Sequence, residues 1–158
     1  MPRVIVQKIN NDEQIRDFKE LGTDAKELIK AAMDARRNAY CPYSNFQVGA
    51  AIQTADGSIY TGCNIENGSY PAGICAERTA ACKAISDGKR DFVACAVVAQ
   101  QEKGFTTPCG LCRQFLAEFA QQGDFPLYCT KPGCPPLKVL ATTIRDLLPR
   151  SFSFLGNK

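Results

Sequence analysis

Histidine is absent from this 158-residue chain, and so is tryptophan. Without imidazole, any acid–base or metal chemistry must be done by carboxylates, thiols and cations. No apolar stretch approaches the roughly 20 residues needed to cross a bilayer, so no membrane partner is expected. The opening Met1–Gln14 run has too few apolar residues and no small-residue cleavage site, so it does not read as a secretory signal. Charge of one sign is not concentrated either. The net charge is +3, with Lys26, Lys30, Arg36, Arg37, Lys83, Lys89 and Arg90 scattered along the chain. With no basic stripe to follow a phosphate backbone, nucleic acid is not an expected partner. Repeats, low-complexity tracts and linkers are lacking, so residues 1–158 are expected to form a single, cytoplasmic domain.

Cysteine, by contrast, is abundant, with nine in the chain. The odd number and a reducing cytosol argue against a disulfide framework. Cys41, Cys63, Cys82, Cys95 and Cys129 lie in apolar or strand-like runs, where a free thiol serves as a small hydrophobe in the core. Cys134, in the turn Lys131-Pro132-Gly133-Cys134-Pro135-Pro136, is ambiguous. Cys75, Cys109 and Cys112 stand apart because of their neighbours and spacing.

The hydrophobic pattern alternates between two periods. The first ten residues, with Val4, Ile5, Val6 and Ile9, suit a short strand or an extended arm. A helix is predicted from Asp24, with Asp24 and Glu27 as a D-x-x-E cap and Ala25, Leu28, Ile29, Ala32 and Met33 at helical spacing. It should reach about Ala39 and stop before Pro42. Strand-like runs at 46–54 and 58–64 flank Asp56-Gly57, a hairpin signal. A helix is expected from Cys75 to about Ser86, ending at Gly88, and another from Cys109 to Gln122, closed by Gly123. Between them Phe92–Ala99 is continuously apolar, the mark of a strand buried on both faces. Phe125–Thr130 and Leu137–Ala141 supply two more strands, and Thr143–Leu148 a last short helix. The expected fold is α/β, a three-layer αβα arrangement around a five-stranded mixed sheet.

Pro108-Cys109-Gly110-Leu111-Cys112 is a C-x-x-C at a predicted helix start. Zinc ligation, a redox pair and coincidence all compete for it. Cys75 opens the other helix, and if both helices start at the same end of the sheet, three thiols meet there. Three protein ligands leave zinc one open position, as catalysis requires, whereas a structural site would want a fourth, for which Cys134 is the candidate. Glu77, two residues after Cys75, suits a proton carrier beside that open position. Its plainer role is a first-turn glutamate favoured by the helix dipole.

The pattern Cys75-Ala76-Glu77 followed by Pro108-Cys109-Gly110-Leu111-Cys112 matches the signature of zinc nucleobase deaminases with a three-cysteine site. Together with Tyr40–Ala50, Gly62–Asn67, Gly73–Thr79 and Leu147–Phe152, it makes the chain resemble the homotetrameric, free-nucleoside cytidine deaminases from about Lys26 to Phe152. The resemblance implies one Zn²⁺ per chain on Cys75, Cys109 and Cys112, and hydrolysis of cytidine and deoxycytidine in pyrimidine salvage. A water activated by zinc would attack C4 while Glu77 shuttles protons. The same resemblance gives Asn64 and Glu66 to the ribose, Phe46 to the pyrimidine face and the Ala76 backbone to the C4 substituent. Tyr70 and Phe152 would close a neighbouring subunit's pocket in a homotetramer. Three thiolates on zinc leave a net negative cluster, so Arg78, with Arg113 as a second candidate, is placed to withdraw charge. Glu66 would repel a phosphate, which favours nucleosides over nucleotides. A non-enzymatic zinc module and a related deaminase of the blasticidin type are the competing classes.

Overall fold

The unbroken apolar run at Phe92–Ala99 requires cover on both faces, and it forms β4 at the interior of a mixed sheet. The computed structural model describes residues 14–120, 123–133 and 138–154. Within them the remaining strands are β1 (Ile15–Asp17), β2 (Val48–Thr54), β3 (Ile59–Cys63), β5 (Pro126–Thr130) and β6 (Lys138–Thr143). The helices are α1 (Thr23–Arg36), α2 (Ala76–Ser86), α3 (Gly110–Ala117) and the single turn α4 (Ile144–Leu147). The strand order is β1-β6-β5-β4-β2-β3. β4 and β5 run parallel, with Cys95 opposite Leu127, and the other neighbouring pairs are antiparallel.

The sheet therefore has six strands where five were expected. The addition is β1, which pairs Ile15 with Leu140 and Asp17 with Lys138 along β6. Three residues reading Ile-Arg-Asp carry too little apolar alternation to announce a strand. The strand or arm expected around Val4–Ile9 lies outside the described residues, as do Cys134 and the start of the strand expected at Leu137.

Alternation along β4 builds two cores. Ala94, Ala96 and Val98 face Leu28, Ile29 and Ala32 of α1. Cys95 and Val97 face Ala80, Ala81 and Ala84 of α2 and Leu116 of α3. Helices thus cover both faces, in three layers. Cys41, Cys95 and Cys129 are buried, as expected of core thiols, and Cys63 is half-buried. Cys82 is a correction, for it lies exposed on the outer side of α2, where its neighbours Ala81 and Ala84 turn inward.

Several boundaries differ from the pattern-based expectation. The N-cap of α1 is Gly22, and no side chain caps it; Asp24 already lies inside the first turn. The capping box is built one element earlier, by Asp17 and Glu20, around a short 3-10 turn. α1 ends at Arg36, and α3 ends at Ala117 instead of running to Gln122. The last turn of α3 tightens, with Phe119 N–H donating to the Leu116 carbonyl, while the Phe119 carbonyl accepts from Phe92 N–H at 3.2 Å. Gly123, expected to close this helix, therefore lies beyond its end, at φ 91°.

Two glycines let helices approach the hairpin. A Cβ at Gly49 would run into the Ala32 carbonyl and Arg36 of α1. One at Gly62 would stand 2.5 Å from the Ala76 carbonyl and also collide with the Ala80 N–H. Gly62 therefore sets the distance between β3 and the first turn of α2. Gly62→Ala is expected to cost about 1–3 kcal/mol by overpacking, measured as a lower urea midpoint at unchanged m-value.

Candidate functional site

Two helix starts deliver the thiols. Cys75 is the N-cap of α2 and Cys109 that of α3, both with extended backbone and no side-chain cap. α2 follows β3 and α3 follows β4, and these strands point the same way because both are antiparallel to β2 between them. Both helices therefore begin at one end of the sheet and turn their partly positive N-termini toward it. Cys112, one turn into α3, is fully buried.

The three Sγ atoms lie within 4.8 Å of one another, and Cys75 to Cys109 is 3.9 Å. Sulfurs bound tetrahedrally at about 2.3 Å from zinc stand roughly 3.8 Å apart, so the trio has the dimensions of a zinc site with one position left open. The thiols share protons unequally. Hydrogen bonding from Cys112 lowers the pKa of Cys75 below its ordinary value, against the effect of burial, and Arg78 and Cys109 assist. Cys112, the donor to Cys75 and itself desolvated, is raised.

Arg78 extends Nη2 to within 3.7 Å of the Cys75 sulfur. Its Nε is buried with no hydrogen-bond partner among the described residues. A buried cationic N–H without an acceptor is costly, and a zinc held by three thiolates, with its net negative charge, would offset that cost. The donor set, its spacing and this cation fit the metal together.

Glu77 is 4% exposed, in the first turn of α2. Burial raises its pKa to about 7, with the charge of Cys75 adding to the rise; hydrogen bonds with its own backbone and Cys112, together with the charge of Arg78, oppose it. A carboxyl in that range can both accept and release a proton near neutrality.

An open cavity of about 690 Å³ lies beside the thiols. Its walls include Asn64, Glu66, Tyr70, Cys75 and Arg78, which joins the metal ligand to the residues expected at the sugar. Phe46, Ala76, Glu77 and Phe152 are not part of that lining. Ala76 and Glu77 are buried in α2, Phe46 is partly exposed, and Phe152 is exposed, its carbonyl accepting from Gln114 of α3 at 2.9 Å.

The residues expected at the sugar are already engaged. Asn64 Oδ1 accepts from Val48 N–H and its Nδ2 donates to the Phe46 carbonyl, both at 2.8 Å. Glu66 Oε2 accepts from Tyr43 N–H at 2.9 Å and Ser44 N–H at 3.2 Å, and Oε1 accepts from the Ser44 hydroxyl. Ile65 between them exchanges two backbone hydrogen bonds with Ile74, next to Cys75, each 2.9 Å. Sugar and metal residues are thus tied through one short bridge.

Arg113 corrects an expectation. Its guanidinium donates to the Pro108 carbonyl at 2.7 Å, the Thr107 hydroxyl at 2.9 Å and the Leu147 carbonyl at 3.0 Å, and so clamps the loop that presents Cys109. Its hydrogen bonds go to carbonyl and hydroxyl oxygens, not to sulfur. Ser44 and Tyr43 were not singled out from the sequence. Their position in a turn just before Phe46 was the available signal, but only the fold brings Glu66 to them.

The model of the cytidine and deoxycytidylate deaminase zinc-binding region matches residues 23–125. A cytidine deaminase of Sporosarcina psychrophila is 52% identical over 132 residues, covering 82% of this chain and 92% of that protein. A probable cytidine deaminase of Dictyostelium discoideum is 45% identical over 130 residues, 82% of this chain and 84% of that one. The crystal structure of cytidine deaminase from Burkholderia pseudomallei superposes with a TM-score of 0.73 at 44% identity, covering 80% of this chain and 98% of that chain.

The Arg113 clamp has a measurable consequence. Arg113→Leu is expected to weaken zinc affinity about 10- to 100-fold, as loss of an outer partner of a metal ligand does. Competition against a chromophoric chelator checks it, and unchanged affinity would show that the loop holds Cys109 unaided.

Proposed function

The chain belongs to the cytidine and deoxycytidylate deaminase family, and from that membership we propose that it hydrolyses free cytidine and deoxycytidine to uridine and deoxyuridine, with release of ammonia. As a member of this family it is a zinc-dependent hydrolase. One observation supports the catalytic assignment above the others: a carboxyl only 4% exposed, Glu77, sits two residues beyond one of three converging thiols.

Zinc held by Cys75, Cys109 and Cys112 supplies a Lewis acid that lowers the proton affinity of water at the reacting carbon. The chain's own groups do the rest. Glu77 takes the first proton of the attacking water and delivers it to ring N3, then takes the second from the new C4 hydroxyl and passes it to the amino group, which departs as ammonia while the C4 oxygen becomes the carbonyl. The Ala76 backbone meets the C4 substituent, and Phe46 packs on the pyrimidine. Glu66 has three of its roughly four acceptor positions filled by Tyr43 and Ser44, which leaves one for a sugar hydroxyl. Asn64 keeps a second amide N–H for the same purpose. The negative charge of Glu66 disfavours a phosphate, so the substrate is a nucleoside rather than a nucleotide.

Arg78 and the two helix N-termini draw charge from the sulfurs, which keeps a trithiolate zinc acidic enough to act. Tyr70, Phe152 and Phe154 are 81%, 64% and 96% exposed. Large apolar side chains so placed support a homotetramer in which Tyr70 and Phe152 close a neighbouring pocket. No helix among the described residues is long and apolar enough to cross a membrane; we assign the chain to the cytoplasm, as one domain.

Metal analysis with an ultraviolet assay tests the proposal. About one zinc per chain and turnover of cytidine are expected, with Glu77→Gln retaining zinc while kcat falls about 10²- to 10⁴-fold. Zinc without turnover of any cytosine nucleoside would leave a binding module instead. Arg78→Gln should keep its zinc and lose about tenfold in kcat. Equal turnover at saturating cytidine would remove the charge-tuning role.

A further inference from the structure

We propose that Ser44 is a positioning residue that ties the carboxylate of Glu66 to the backbone of Phe46, so that one hydrogen-bonded unit grips both halves of the nucleoside. The inference rests on the assignment of Glu66 to the sugar and Phe46 to the base.

The direction of each bond is forced by chemistry. The Ser44 hydroxyl contacts Glu66 Oε1 on one side and Phe46 N–H, at 3.0 Å, on the other. An ionised carboxylate only accepts and a backbone N–H only donates, so the hydroxyl must give its proton to Glu66 and accept from Phe46. A bond to a charged acceptor is stronger than a neutral one, and chains of such bonds reinforce each other. The Ser44 bond is also the first cause of the lowered pKa of Glu66.

The far side of the Phe46 peptide is held too. Asn64 donates to the Phe46 carbonyl and accepts from Val48 N–H. Phe46 is thus held at its N–H by Ser44, itself bound to Glu66, and at its carbonyl by Asn64. The side chain is not enclosed in the core, since Phe46 remains 38% exposed. Asn45, between Ser44 and Phe46, adopts φ 56° in the left-handed region, which asparagine tolerates better than most residues, and its N–H donates to the Cys41 carbonyl at 2.9 Å. When a sugar hydroxyl engages Glu66, the same carboxylate is holding the loop that presents the aromatic ring.

The test is steady-state kinetics of the zinc-loaded full chain on cytidine, with zinc content and melting temperature measured in parallel. Ser44→Ala is expected to raise KM about 10- to 100-fold and to leave kcat within about threefold. Zinc content and melting temperature should not change, and Ser44→Thr should restore the KM. The penalty should shrink at least about threefold in both the Glu66→Gln and the Phe46→Ala backgrounds, because a shared unit cannot be lost twice. A full Ser44→Ala penalty in either background, or no penalty in the wild type, overturns the tie while cytidine turnover stands. Should Ser44→Ala lose its fold, Ser44→Thr against Ser44→Val makes the same comparison at constant shape. A wild-type chain that turns over no cytidine overturns the assigned function, and this inference with it.

Discussion

Three sulfurs within 4.8 Å of one another, at the starts of two helices, are the contact on which the other features depend. Like charges do not gather unaided. Two helix N-termini and the Arg78 guanidinium supply positive potential to the cluster, and a bound zinc would add to it. A chain without histidine has no neutral nitrogen ligand to dilute that charge. Arg78 answers the same constraint from the first turn of α2, where one helical turn separates it from Cys75. Glu77 shares that turn but points into a drier environment, and burial rather than any single partner decides its proton affinity.

The metal half and the sugar half of the site are joined by backbone. Ile65 pairs with Ile74 on one side and bridges to Tyr40 on the other. Asn64 and Glu66, flanking Ile65, then reach across to the loop that carries Phe46. Displacing this short bridge would shift the ligand Cys75 and the sugar contacts together. Gly62 belongs to the same frame, because its missing side chain lets β3 lie directly against the first turn of α2, which bears Glu77 and Arg78.

Much of the fold could be read along the chain because its signals are local. The apolar run of β4, the Asp56-Gly57 hairpin and Gly88, at positive φ just past α2, each reflect a preference of a few neighbouring residues. β1 was hidden because an edge strand of three residues gains its stability from β6, far away in sequence, and not from its own pattern. The D-x-x-E motif misled for a related reason. Two copies occur within eleven residues, and only the surroundings decide that Asp17 caps while Asp24 does not.

The sequence by itself determined the chemistry: three thiols, a carboxyl and an arginine at fixed spacing, with no imidazole to replace any of them. Spacing settles such matters because a ligand and a proton carrier on one helical turn keep their relation wherever the helix lies. Tertiary structure decided how the parts meet. It brought Cys75 to Cys109 across 34 positions, turned Arg113 away from sulfur onto three backbone and hydroxyl oxygens, and placed Ser44 between Glu66 and Phe46. Those contacts depend on strand order and on the approach of whole elements, for which a linear chain holds no local signal.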